Sequence, residues 1–119
     1  MKPGDTFHLA DFAGGHINFV LEVFADGSVI TCNFTDCTNY CDKTCVVEAG
    51  EHPNITKKSV VNFPKAHHCE AGVPMEALAR LIQSYKQPLS PALLARIRQA
   101  ALDSPRTSDI IKQALRQKK

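Results

Sequence analysis

Residues 17–34 read INFVLEVFADGSVITCNF, and this pattern predicts a β-hairpin in the N-terminal part of the chain. Residues 17–24 are almost all apolar, with Glu22 as the only charge, which predicts a strand buried on much of both faces. An Asp-Gly pair at residues 26 and 27 follows and predicts a hairpin, because glycine accepts a positive φ. Residues 29–34 are then the returning strand.

Three further segments of the N-terminal part have the pattern of short strands, and turn-forming residues separate them. They are residues 5–10, 44–48 and 58–63. Five short strands with no helical periodicity between them predict a small antiparallel β-barrel or rolled sheet over residues 1–72.

The pattern changes after Gly72, and residues 73–119 are expected to form a helical segment packed on the barrel. Residues 74–85 have apolar side chains at helical spacing, which predicts a first helix. Ser90 and Pro91 supply an N-cap hydroxyl and a first-turn proline for a second helix. Ser104, Pro105 and Thr107 offer start signals for a third. The expected fold class is therefore α+β, with domain limits at 1–72 and 73–119.

The charge of the chain is distributed unevenly along its length. Residues 1–72 have five Lys, no Arg and nine acidic residues, a net charge of −4, whereas residues 73–119 have a net charge of +6. The total of +2 is too close to neutral for a general polyanion binder.

No apolar run reaches the roughly 18 residues that span a bilayer, and the first residues lack the apolar stretch of a secretory signal. We expect a cytoplasmic protein with no membrane contact.

The cysteines are clustered, with spacing C-x4-C-x3-C-x3-C from Cys32 to Cys45. A structural zinc site is usually built from two C-x2–4-C pairs separated by a longer loop, and these cysteines are not paired in that way. Cys37, Cys41 and Cys45 could still hold zinc with a further ligand. The favoured interpretation is that Cys32 and Cys45 are buried free thiols in predicted strands, without a metal.

Four residues at strand ends or in turns could form a catalytic group. They are His16, Thr35, His52 and Ser59. Two imidazoles facing one phosphate suffice for RNA cleavage without a metal, because one accepts the proton of the 2′-hydroxyl and the other protonates the leaving oxygen. A rolled sheet would bring these strand ends to one concave rim. The alternative is that His16 and His52 are ordinary polar residues at strand ends.

Other chemistry has little support in the sequence. No acidic cluster indicates magnesium, and neither a P-loop nor a dinucleotide-binding motif is present, so no cofactor is expected. The basic residues of the C-terminal segment could form a phosphate-binding face or an ordinary solvated helix surface. They are Arg80, Arg96, Arg98, Arg106, Lys112 and Arg116.

The N-terminal part resembles the PemK/MazF-like toxins. The resemblance covers residues 3–66 and lies in Pro3-Gly4-Asp5 before a strand, the long apolar strand, the hairpin and Thr35 at its end. It implies an SH3-like barrel, a homodimer, metal-independent endoribonuclease activity on RNA, and neutralisation by an antitoxin protein. The sequence departs from the family pattern because residues 1–72 contain no Arg, and His16 stands near the place of the family's arginine. Lys43, Lys57 and Lys58 could supply the missing cation and bind RNA.

Two functional hypotheses follow in addition to a zinc-stabilised protein. The first is a toxin-type ribonuclease that uses His16 and His52 as its acid–base pair. The second is a non-catalytic barrel module that binds a partner protein or nucleic acid, since one fold supports many functions.

Overall fold

The structure is a computed structural model that describes residues 2–9, 17–36, 42–69 and 82–117. Within these ranges the chain forms seven strands, one short 3-10 helix and two α-helices. The strands are β1 (Thr6–Leu9), β2 (Asn18–Val23), β3 (Val29–Asp36), β4 (Val46–Val47), β5 (Ser59–Val61), β6 (His67–Cys69) and β7 (Ile82–Lys86). The 3-10 helix is Phe63–Lys65, and the α-helices are α1 (Pro91–Asp103) and α2 (Asp109–Gln117).

The strands form one antiparallel sheet in the order β4-β5-β3-β2-β1-β7, and β6 also pairs with β3. β3 is therefore central: β2 lies along one edge, while β5 and β6 share the other. In the segment between β5 and β6, the Asn62 N–H donates to the Asn33 carbonyl of β3 over 2.9 Å. Among the described strands, β4 and β7 at the two ends do not pair with each other, so no closed barrel is formed by them. The predicted α+β class, an antiparallel sheet followed by helices, is confirmed.

The β2–β3 hairpin forms where residues 17–34 predict it. Gly27 has a φ of 88°, the conformation for which glycine is favoured, and the side chain of Asp26 accepts a hydrogen bond from the Ser28 N–H over 2.8 Å. Both strands place apolar side chains in the core. Phe19 and Phe34 lie with ring centroids 4.8 Å apart.

The core lies between one face of the sheet and the two helices. Its buried side chains alternate along the strands and recur every third or fourth residue along the helices, as amphipathic elements require. They include Phe19, Leu21, Ile30, Cys32, Phe34, Val61, Phe63, Leu93, Ile97, Ala101, Ile111 and Leu115.

The predicted helix over residues 74–85 is wrong at its C-terminal end. Ile82–Lys86 form β7, which pairs with β1 in a register that places Tyr85 opposite Phe7. The apolar spacing is compatible with a helix. Without β7, however, the backbone groups along the outer edge of β1 would have no strand to pair with. Pro88 follows and favours extended backbone at the residue before it. Residues 74–81 lie outside the described ranges.

The other two helices are confirmed. α1 begins with Pro91 after Ser90, whose hydroxyl accepts a hydrogen bond from the Leu93 N–H over 3.2 Å. α2 begins at Asp109, slightly later than the start signals indicated, and Ser108 accepts a hydrogen bond from the Ile111 N–H over 3.3 Å. Neither described helix has the length and apolar character needed to cross a membrane.

Candidate functional site

His52 lies in the loop between β4 and β5, and its side chain is buried with 2% of its surface exposed. Its Nδ1 accepts a hydrogen bond from the Asn54 N–H over 3.1 Å. The ring proton therefore belongs to Nε2, which donates to the backbone carbonyl of Gln87. Thr6 donates its hydroxyl to the same carbonyl over 2.9 Å. The imidazole thus joins this loop to β1 and to the segment before α1, and both its nitrogens are engaged.

Thr35 and Ser59 lie on neighbouring strands but not on the same face. In the β3–β5 pair, Thr35 lies opposite Val60, and Ser59 lies opposite Asp36. Opposite residues of an antiparallel pair share a face, and successive residues alternate between faces. Thr35 and Ser59 therefore project to opposite sides of the sheet. The buried Ser59 hydroxyl donates to the Lys57 carbonyl over 3.0 Å.

The remaining predicted site residues are less closely defined. His16 lies outside the described residues, so the complete four-residue site stays a prediction. Lys43, Lys57 and Lys58 are all exposed. The Lys57 ammonium lies 3.1 Å from the Asp36 carboxylate, and both side chains are open to solvent. Such a surface ion pair contributes little to stability.

Two arginines of α1 hold the helix against the sheet. Arg96 forms a bidentate ion pair with Glu51, with nitrogen–oxygen distances of 2.8 and 2.9 Å. The Arg96 guanidinium lowers the pKa of the Glu51 carboxyl. Arg98 pairs with the buried Glu22 of β2 and donates to the Leu115 carbonyl of α2 over 3.0 Å. These contacts favour a structural role for the two arginines over a phosphate-binding one. Arg80 lies outside the described residues.

Cys32 and Cys45 are buried free thiols, as predicted. Burial raises the pKa of Cys32 to about 12, and its thiol lies 3.2 Å from the Asn62 carbonyl. Burial also raises the pKa of Cys45, although Arg96 lies close to it. A protonated thiol is a poor nucleophile and a poor metal ligand. Cys37 and Cys41, the other members of the proposed zinc set, lie outside the described residues.

A cavity of about 500 Å³ opens beside the β2–β3 hairpin. The turn and β6 form one wall, and the last turn of α2 forms the other. Its lining residues are Phe24, Ala25, Asp26, Ser28, His68, Ala114 and Gln117. The volume lies within the roughly 300–1,000 Å³ of typical ligand sites. In the described ranges, no cluster of three or more His, Cys, Asp or Glu residues could hold a metal ion.

Three polar side chains in this cavity form a continuous hydrogen-bonded chain. Asp26 Oδ1 accepts the Ser28 hydroxyl over 2.6 Å as well as the Ser28 N–H. His68 Nε2 lies 3.0 Å from the Ser28 hydroxyl oxygen. The hydrogen bonds from Ser28 lower the pKa of Asp26, so this residue is a carboxylate at neutral pH. Because the serine proton is directed to Asp26, His68 Nε2–H must be the donor to Ser28.

This order of groups does not activate a nucleophile. In a serine hydrolase the imidazole lies between the hydroxyl and the carboxylate, so that it can remove the hydroxyl proton. Here the hydroxyl of Ser28 lies between Asp26 and His68 and donates its proton to the carboxylate. The cavity is therefore suited to binding a ligand rather than to acyl transfer.

The sequence contains a signal for part of this cavity. Asp26 and Ser28 belong to the hairpin turn, where Asp commonly accepts the N–H two residues later. Successive residues of a strand point to opposite sides, so only one of His67 and His68 can face the hairpin. In β6 His67 is exposed, and the ring of His68 lies 5.2 Å from that of Phe24. The sequence does not show that β6 pairs with β3, and this pairing brings His68 to the hairpin.

Two comparisons, one with protein families and one with curated sequences, return no match. No protein-family model matches the chain, and no curated protein has a similar sequence. The resemblance to PemK/MazF-like toxins therefore depends only on the short motifs given above.

Proposed function

We propose that this protein is a non-catalytic module that binds a partner protein. The observation that carries the proposal is the environment of His52, which the ribonuclease hypothesis requires as an acid or base. A general acid or base must come within hydrogen-bond reach of the proton that it transfers. The His52 ring is buried, and backbone groups engage both its nitrogens.

Charge favours a protein over a nucleic acid as the partner. Residues 1–72, which contribute six of the seven described strands, have a net charge of −4, and a phosphate backbone is repelled by such a surface. In the C-terminal segment, Arg96 and Arg98 contact the carboxylates of Glu51 and Glu22. Phosphate binding would have to replace these intramolecular ion pairs.

The competing proposal is the toxin-type endoribonuclease implied by the family resemblance. It requires the His52 ring to leave its pocket and meet His16 at one phosphate. It also requires a cation from Lys43, Lys57 or Lys58 at that place, since residues 1–72 lack arginine. The hydrogen bonds of His52 and the opposite faces of Thr35 and Ser59 weigh against this arrangement.

We also propose that the sheet is rolled in the manner of an SH3-like barrel. The support is the path of β3, which pairs with β5 near its C-terminal end and with β6 near its N-terminal end. A register shift in β2 between Val20 and Glu22 adds local bending and twist. These features are those by which a sheet curls towards closure.

The deciding experiment is RNA cleavage in EDTA by the wild type, His16→Ala and His52→Ala. His67→Ala is the matched control, because His67 is an exposed histidine of the same sheet. We expect no cleavage above the buffer blank by any of the four proteins. Wild-type cleavage that falls by about 10²–10⁴-fold in either test variant, but not in the control, would overturn the binding-module proposal. Circular dichroism of each protein separates a lost activity from a lost fold.

A further inference from the structure

The hairpin cavity presents hydrogen-bond acceptors that Ser28 does not use. Asp26 uses Oδ1 for both bonds from Ser28, so neither of these bonds involves Oδ2. His68 directs Nε2 to Ser28, so in the neutral ring Nδ1 carries a lone pair. Two acceptors in one cavity favour a ligand that brings several donors.

The electrostatics of the cavity favour a positive ligand. Among the described lining residues, Asp26 has the only carboxylate, and none is Lys or Arg. Ala114 and Gln117 belong to the last turn of α2 and add no charged side chain to the lining. A cation placed here meets the Asp26 carboxylate without a lysine or arginine in the described lining.

The aromatic wall further restricts the shape of the ligand. The rings of Phe24 and His68 lie at an angle of 46° with centroids 5.2 Å apart, and Ala25 and Ala114 add apolar surface. A planar cation can stack on an aromatic ring while its edge donates hydrogen bonds. Guanidinium has five donors in a rigid plane and is more weakly hydrated than ammonium. Ammonium offers neither the planar stacking nor the fork geometry.

We infer that this cavity binds the guanidinium group of an arginine side chain in the partner protein. The inference rests on the proposed function and names the chemistry by which the partner is held. The guanidinium edge donates to Asp26 Oδ2 and His68 Nδ1, and its face lies against Phe24. Ser28 positions both acceptors through its hydrogen bonds and does not itself contact the ligand.

The test is an NMR titration of the isotopically labelled full chain with N-acetyl-arginine amide, which mimics an arginine within a polypeptide. We expect saturable shifts of the amides around Asp26, Ser28, His68 and Gln117. N-acetyl-citrulline amide has the same shape without the charge and should bind at least tenfold more weakly. N-acetyl-lysine amide should also bind more weakly, because it lacks the planar fork. Free arginine binding more tightly than the capped form would indicate a small metabolite and overturn the partner-protein assignment.

Two variants make this test specific to the cavity. Asp26→Asn should weaken binding of the capped arginine at least tenfold while leaving the remaining amide spectrum unchanged. Asp36→Asn removes the same charge at the other end of β3 and should bind as the wild type does. Absence of saturable shifts, equal binding of citrulline, or undiminished binding by Asp26→Asn would overturn the inference. The RNA cleavage assay does not involve this cavity, so the failure of one proposal is distinguishable from the failure of the other.

Discussion

At the scale of single residues, His52 shows how burial changes what an imidazole can do. From its position in a predicted turn, the residue is expected to be a proton-transfer group. In the structure, Asn54 and Gln87 take both nitrogens, and the ring fastens the β4–β5 loop to the segment before α1. A buried group of this kind contributes through its hydrogen bonds, and removing it leaves backbone groups without partners.

We therefore expect His52→Ala to destabilise the fold by about 2–4 kcal/mol, from two lost hydrogen bonds and a cavity. The exposed His67→Ala should change stability by no more than about 0.5 kcal/mol. Urea denaturation followed by circular dichroism measures both. Equal stability of His52→Ala and the wild type would mean that His52 has no structural role.

At the scale of elements, α1 is fastened to the sheet by polar contacts in addition to its apolar face. Arg98 contacts the buried Glu22 of β2 and also the Leu115 carbonyl of α2. It thereby connects three elements. Arg96 contacts Glu51 at a more exposed place, where solvent screening reduces the contribution of an ion pair.

Arg98→Met should reduce the free energy of unfolding by about 2–3 kcal/mol, because Glu22 stays buried without this guanidinium. The figure is below that for a fully buried pair, since the side chain of Arg98 is partly exposed. Arg116→Met, an exposed change on α2, is the matched control. Adding Glu22→Gln to Arg98→Met should recover part of the loss in a double-mutant cycle. Independent, additive effects would show that the two residues are not coupled.

At the scale of the whole molecule, Asp42 connects the residues before β4 to the junction of the two helices. Burial by itself would raise the pKa of Asp42, but hydrogen bonds from Ser104 and Thr44 and the charge of Arg106 outweigh it and lower the pKa. The carboxylate accepts the Thr44 N–H over 2.9 Å and the Ser104 hydroxyl. Ionised Asp42 therefore stabilises the packing of the helices on the sheet.

The stability of the protein should depend on pH through this residue. A carboxyl with a lowered folded-state pKa contributes stability above its unfolded pKa of about 3.9 and loses it as pH falls through the folded value. The wild type should therefore be more stable than Asp42→Asn near pH 6, and the difference should shrink towards pH 3. Urea denaturation of both proteins at a series of pH values measures this difference in the free energy of unfolding. A difference that stays constant over this range would exclude ionisation of Asp42 as the cause.

The local structure of this chain follows from its sequence, because short-range rules govern it. The Asp-Gly turn and its apolar flanks suffice to predict the β2–β3 hairpin, and Ser90-Pro91 suffices for the start of α1. Burial of Cys32 and Cys45 follows from their places in an apolar strand and directly before one. In each case the deciding interactions lie within a few residues along the chain.

The tertiary structure decided what depends on contacts between distant residues. Ile82–Lys86 has helical spacing but becomes a strand because β1, about 75 residues earlier, offers an open edge. His52 is not available for proton transfer because it binds the carbonyl of Gln87, 35 residues later. His68 lies beside Ser28 because β6 pairs with β3. The spacing of apolar residues determines whether a segment favours a helix or a strand. The environment of a polar side chain depends instead on which distant segments pack against it.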